Sequence, residues 1–195
     1  ATGDYNTSLG RHALSKIQGS AAANTALGFG TLENMTTGGT NVAVGAAAMQ
    51  VLSSGTHNVA VGGYAAQKLT IWDQNTYVGN FSGEEATTAE YSVAVGYAAG
   101  GSNTEATGNY NAALGFSALQ NTTTAGANTA IGGFAMQGVT TGSNNVAVGY
   151  AAMDAAVTGS DNVAVGKGAA TLLTSATYTV AVGASALASV TEATS

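Results

Sequence analysis

Apolar and polar positions along this chain follow a short motif that returns at a fixed interval. Five-residue cores begin at Asn6, Asn24, Asn41, Asn58, Asn75, Ser92, Asn111, Asn128, Asn145, Asn162 and Thr179, and each ends in Gly. Eight of the ten steps between them are 17 residues. The two longer steps mark insertions near Ala21–Ala23 and Gly100–Asn103. The second and fourth core residues are Val, Leu, Ile or Thr almost throughout, and the third is nearly always Ala. Alternation at period 2 with β-branched residues predicts a short strand with one buried face. The reading places the Val/Leu/Ile column inside and the Ala column on a face lying close to something else. Gly in fifth place in every core predicts a corner with positive φ or a close backbone approach.

The remainder of each repeat is patterned too. Three residues past the Gly comes a small residue, such as Ala48, Ala65 or Ala118, and then often Leu or Met, as in Leu32, Met49, Leu119, Met136 and Met153. Thr/Ser pairs and Gly-rich turns follow, giving an expectation of two short strands and two turns per repeat. Helices are excluded: the Ala-rich pieces are too short to nucleate, and Gly interrupts each one. Strands returning at this period predict an all-β fold, a parallel β-solenoid or β-roll of eleven ~17-residue coils spanning residues 1–195 as a single repeat domain. Coils stacked at the inter-strand spacing of ~4.8 Å make a rod of ~50 Å. Thin coils gain stability only from their neighbours. Ala columns and almost chargeless flanks predict a homo-oligomer, with three chains around one axis.

Charge narrows the partners. Four basic residues face ten acidic ones, a net charge of −6, and only 7% of residues are charged. Nucleic acid needs clustered Lys and Arg, so no nucleic-acid partner is expected. No apolar run reaches the ~18 residues of a membrane span, so no membrane insertion is expected. The chain has no cysteine and no proline, which excludes a disulfide framework and favours an uninterrupted ladder.

The repeated Asn-Val-Ala-Val-Gly with its Tyr-Ala-Ala extension resembles the head repeats of YadA-like trimeric autotransporter adhesins. It is closer to bacteriophage tail-fibre repeats, as in the stretch from Asn111 to Asn128, and the likeness covers about residues 4–195. The resemblance implies a left-handed, trimeric parallel β-roll on a virion tail fibre or a bacterial surface, attaching to a host-cell glycan or protein. Ser92 and Thr179 depart from the Asn of the pattern, and Ser8 and Tyr77 from its Ala. The first repeat starts close to Ala1 and the last runs to Ser195 without a polar cap. That suggests an excerpt of a longer fibre, or a subunit that stacks end to end.

The Asn residues that open the cores, Asn24, Asn41, Asn58, Asn75, Asn111, Asn128, Asn145 and Asn162, read as a structural ladder of stacked amides at a turn, with a sugar-binding row as the alternative. Thr and Ser recurring from Thr36 to Thr174 could match an ice lattice, but read better as cross-strand hydroxyl stacks. Residues 17 apart lie one above another, so Glu85 sits over Lys68, Glu90 over Asp73, Phe81 over Tyr64, and Phe116 over Tyr97. An irregular zone holding Tyr64, Trp72, Asp73, Tyr77, Phe81 and Glu90 is the candidate ligand site, with aromatic rings beside acids as a saccharide platform. Carboxylates one coil apart, near ~5 Å, have the separation of a retaining glycosidase pair, which makes Asp73 and Glu90 the residues of an enzymatic alternative on polysaccharide. The leading expectation is no enzyme, no cofactor and no metal. His12 and His57 lie coils apart, and neither a Gly-x-Ser-x-Gly elbow nor a phosphate-binding loop is present.

Overall fold

The structure is a computed structural model, described for residues 5–18, 20–101, 107–155 and 157–189. The chain winds into eleven three-residue strands: β1 (Thr7–Leu9), β2 (Thr25–Leu27), β3 (Val42–Val44), β4 (Val59–Val61), β5 (Thr76–Val78), β6 (Val93–Val95), β7 (Ala112–Leu114), β8 (Thr129–Ile131), β9 (Val146–Val148), β10 (Val163–Val165) and β11 (Val180–Val182). They form one sheet in sequential order, with the pairings all parallel. Equivalent residues pair throughout, as in Ala43 with Ala60 and Val44 with Val61. The longer repeats keep this register, Thr7 pairing with Thr25 and Val93 with Ala112, so their extra residues are absorbed outside the strands. The fold is an all-β solenoid with the predicted spacing.

Which strand face turns inward corrects the expectation. The middle Ala is inside, with Ala26, Ala43, Ala60, Ala130, Ala147 and Ala164 at 0–1% exposure. The Val/Leu/Ile column points out: Leu27, Val93, Leu114 and Ile131 are 41–51% exposed. Alternation identifies two faces but does not say which is covered. The interior is filled from across the coil by two columns, one of Leu32, Met49, Leu119, Met136 and Met153, the other of Met35, Leu52, Leu69, Val139, Val157 and Leu173, all fully buried. Opposite such large side chains, close packing leaves room for little beyond a methyl group.

The second predicted strand is absent. In the segment that follows each corner, φ is positive two and four residues past the Gly, as at Ala47 (56°) and Met49 (46°), or Phe134 (58°) and Met136 (50°). A third positive φ precedes each core, for example at His57, Gln74 and Ala127. Left-handed residues cannot propagate a strand, so this side of the coil is a succession of turns. It is nonetheless tied coil to coil: Met49 N–H donates to Ala65 O at 2.9 Å and Val51 N–H to Gln67 O at 3.1 Å. Each left-handed non-glycine residue costs roughly 1–2 kcal/mol, which burial of side chains such as Met49 and Met136 and hydrogen bonds to adjacent coils offset.

Corner glycines do what their invariance within the chain suggested. Their φ values lie between 124° and 141°, and a Cβ on Gly45 would stand 2.4 Å from Gly62 O. Any side chain there would push successive coils apart.

Candidate interaction surface

Asn side chains at the start of each strand lie inside the coil wall. Asn41 Nδ2 donates to Asn24 Oδ1 (3.0 Å) and to Gly55 O (2.8 Å), while Asn41 N–H donates to the same Oδ1 (3.1 Å). Asn58 repeats the arrangement on Asn41 and Trp72 O, Asn75 on Asn58 and Ala89 O, and Asn162 on Asn145 and Ala176 O. Asn24, Asn128 and Asn145 are fully buried in the same column. Carboxamides so engaged have no capacity left for a sugar. At Ser92 the ladder narrows: Ser92 N–H still donates to Asn75 Oδ1, but Asn111 turns its Nδ2 to Gly108 O and Ala125 O. Beside this break is a cavity of about 20 Å³ lined by Tyr77, Ser92, Asn111, Leu119 and Thr122 among others, enough for one water.

The Thr/Ser rows are also engaged in the wall. Thr36 Oγ1 donates to Ser53 O, Ser53 Oγ to Thr70 O, Thr70 Oγ1 to Thr87 O and Thr123 Oγ1 to Thr140 O. Hydroxyl protons pointed along the rod into backbone carbonyls are not offered to an ice lattice.

The six residues of the candidate ligand zone fall in three places. Tyr64 and Phe81 are on the outer surface just past the corner glycine, their rings stacked at 5.3 Å and 4°. Tyr77 is third in its core and therefore points inward, 2% exposed; burial raises its phenol far above the usual range. The ring is housed because Gly83 and Gly100 replace the Leu or Met of neighbouring coils, with Ala66 below them. A Cβ on Gly83 would lie 2.2 Å from the Tyr77 ring. Trp72, Asp73 and Glu90 lie on the turn preceding the strand, a strand's length (~10 Å) from the outer rings. Trp72 packs partly buried against the core. Asp73 Oδ1 accepts the Thr56 N–H, and Glu90 N–H donates to Asn109 Oδ1. In this column Asp73, Asn109, Ser143 and Ser160 brace backbone amides one coil away with their side chains, whereas Glu90 takes part through its N–H. Lys68 and Glu85 pair at 2.7 Å.

What the sequence reading missed is the extent of the outer rings. Tyr64, Phe81, Tyr97, Phe116, Phe134 and Tyr150 form an unbroken series over six coils, with centroid distances of 5.2–5.6 Å. Tyr64–Phe81 and Tyr97–Phe116 are parallel, and the other pairs are edge-on. These are the preferred geometries of ring–ring contact, and Tyr64, Tyr97, Phe116 and Tyr150 remain 41–55% exposed. The signal was hidden because the ring alternates between the first and second residue past the Gly. Next to this column runs the outward strand face, whose fourth core position is Leu, Val or Ile in all eleven coils and whose second is Val, Thr or Ala. No charged residue interrupts either column.

Among the described residues, no group of three or more His, Asp or Glu is placed to hold a metal ion, and no helix is long and apolar enough to cross a membrane. No protein-family model, curated protein or solved structure matches the chain.

Proposed function

We propose that this solenoid is a structural and attachment segment of a homotrimeric fibre, similar to the repeat region of a phage tail fibre, with three left-handed rods packed side by side. One observation carries the proposal: the uncharged Val/Leu/Ile face runs along all eleven coils of a rod whose interior is already filled, with the aromatic column beside it over six of them. The strand face alone is ~50 Å by ~10 Å, and the ring column adds to it. The combined area exceeds the few hundred Å² of apolar patch that a lone soluble chain exposes and approaches the ~800 Å² per partner of a stable interface. Association of this face with copies of itself removes it from water. The remaining sides present the same groups coil after coil, a repetition suited to many weak contacts with a host-cell surface glycan or protein. The Asp73 carboxylate braces the Thr56 amide one coil away, which favours a mechanical over a catalytic role for it.

Native mass spectrometry and sedimentation test this reading. The expected species has three times the 18.9 kDa chain mass. Ile131→Lys and Leu114→Lys, on the outward face, should yield monomers with an unchanged far-ultraviolet spectrum. A monomeric wild type refutes the trimer. A trimer that shows no saturable binding to any bacterial cell tested refutes the attachment role and leaves the fibre role standing.

A further inference from the structure

We propose that the side-chain column Glu33–Gln50–Gln67–Glu84 takes up one proton in the folded rod, so that mild acidification strengthens the solenoid. The four residues stand five positions past the corner glycine in four successive coils. Gln50 Nε2 donates to Glu33 Oε2 at 2.8 Å and Gln67 Nε2 to Gln50 Oε1 at 3.0 Å. Glu84 is the next rung, its coil joined to the one below by Lys68 N–H to Glu84 O at 3.0 Å.

The inference is a count of donors. Along a column, each carboxamide presents one donor end and one acceptor end, whereas an ionised carboxylate presents acceptors only. Four rungs make three contacts, and two amides flanked by two carboxylates supply two donors. Turning the amides over moves the shortfall without removing it. In the arrangement seen, Gln50 donates to Glu33 and Gln67 to Gln50, so both donors are spent on the Glu33 side and the rung toward Glu84 is the one without. With both amides reversed, the conflict is at Glu33, and with Gln67 alone reversed, it lies between the two amides. A proton on either carboxyl supplies the third donor as an O–H to the amide oxygen.

The surroundings agree with this placement. Partial burial and the neighbouring Glu85 raise the Glu84 carboxyl above its usual range, against an opposing pull from Lys68. Lys68 is itself paired with Glu85, and the coil above presents only Gly101 at this position. At the other end, the coil below offers Ser15, while Lys16 is engaged by Asn34 Oδ1. The same column resumes as Gln120–Gln137–Asp154, with Gln137 Nε2 on Gln120 Oε1 at 2.8 Å. One acid beside two amides makes two contacts for two donors, so that tract has no deficit by count, and burial by itself raises the Asp154 carboxyl there, a contribution to the pH response that the column variants leave in place.

A carboxyl raised in the fold holds a proton that the unfolded chain releases. The associated stabilisation is therefore fully present below the unfolded value and is lost as pH rises through the folded one. Urea midpoints between pH 4.5 and 7.5 test this on the whole chain, comparing wild type with Glu84→Gln, Glu33→Gln and the off-column control Glu90→Gln. The wild-type midpoint should climb as pH falls from 7 toward 5. Either column variant, by making the third donor permanent, should raise the neutral midpoint and abolish more than half of that climb, while Glu90→Gln retains it. If Glu84→Gln flattens the response and Glu33→Gln does not, the effect is local to Glu84 and the donor count is wrong. A flat wild-type profile, or an equal effect of Glu90→Gln, also overturns the proposal. Carbon-13 titration of the wild-type glutamates reads the same proton without substitution, and column carboxyls that all titrate in the ordinary range overturn it as well.

Discussion

Tyr77 and Gly83 should behave as one unit of volume. Replacing Tyr77 with Ala removes a ring that is 2% exposed and leaves the space beside Gly83 and Gly100 empty, since neither has a side chain to collapse into it. Aromatic-to-Ala changes in cores cost about 3–5 kcal/mol. The single change Gly83→Met fails for the opposite reason, because its Cβ would lie 2.2 Å from Tyr77 Cε1 and 2.3 Å from Cδ1. Overpacking of this kind costs about 1–3 kcal/mol or more. Together the two changes reproduce the arrangement of the Ala43/Met49, Ala130/Met136 and Ala147/Met153 coils, an inward Ala opposite a Met. The left-handed backbone at Gly83 (φ 59°) is no obstacle, because Met49, Met136 and Met153 hold φ of 46–51° at the equivalent position. Urea denaturation of the four species of the double-mutant cycle, with hydrogen exchange at the coil-5 amides, measures the coupling. The double variant should be more stable than either single one, with a favourable coupling of about 2–3 kcal/mol. Additive losses would refute the view that Tyr77 is accommodated by the missing side chain at Gly83.

Two further outcomes concern the wall. Asn145→Ala strips partners from Asn162 N–H, Asn162 Nδ2 and Gly159 O in one step. At about 1–3 kcal/mol for each buried group left unsatisfied, it should lower the urea midpoint far more than Thr158→Ala, whose hydroxyl bond is exposed. Ala127→Gly, at an exposed position with φ 56°, relieves a left-handed Cβ and should stabilise the rod by up to about 1 kcal/mol, less the entropy that Gly adds to the unfolded chain. Calorimetry checks the sign, and a clear loss of stability would contradict the strain assigned to these turns.

Much of the architecture was legible in the sequence because a solenoid writes its spatial neighbours at a constant offset. The offset of 17 placed Glu85 on Lys68 and Phe81 on Tyr64, and the fifth-place Gly pointed to positive φ; the fold has each of these. Burial was harder to read. Val44 and Ala43 differ in hydrophobicity in the sense that puts Val inside, yet a coil one side chain thick is filled from the opposite wall and takes the smaller residue. The supposed second strand around Met49 failed because its apolar spacing matches both a strand and a chain of left-handed turns, and nothing local distinguishes them. The candidate ligand zone was assembled from neighbours in sequence. Position within the repeat separates them, sending Tyr77 to the interior, Tyr64 and Phe81 to the outer column, and Trp72, Asp73 and Glu90 to the turn before the strand.

Register has a consequence for how such a molecule changes size. The ties between coils recur at the same offsets from one coil to the next, so a whole repeat can be duplicated or lost and the flanking coils close on one another with the same kinds of partner. Length is thereby quantised in steps of ~4.8 Å, while fractional changes are tolerated where they leave the strand register untouched, as on either side of the two longer repeats. A rod built this way is a molecular ruler whose graduations are its own repeats.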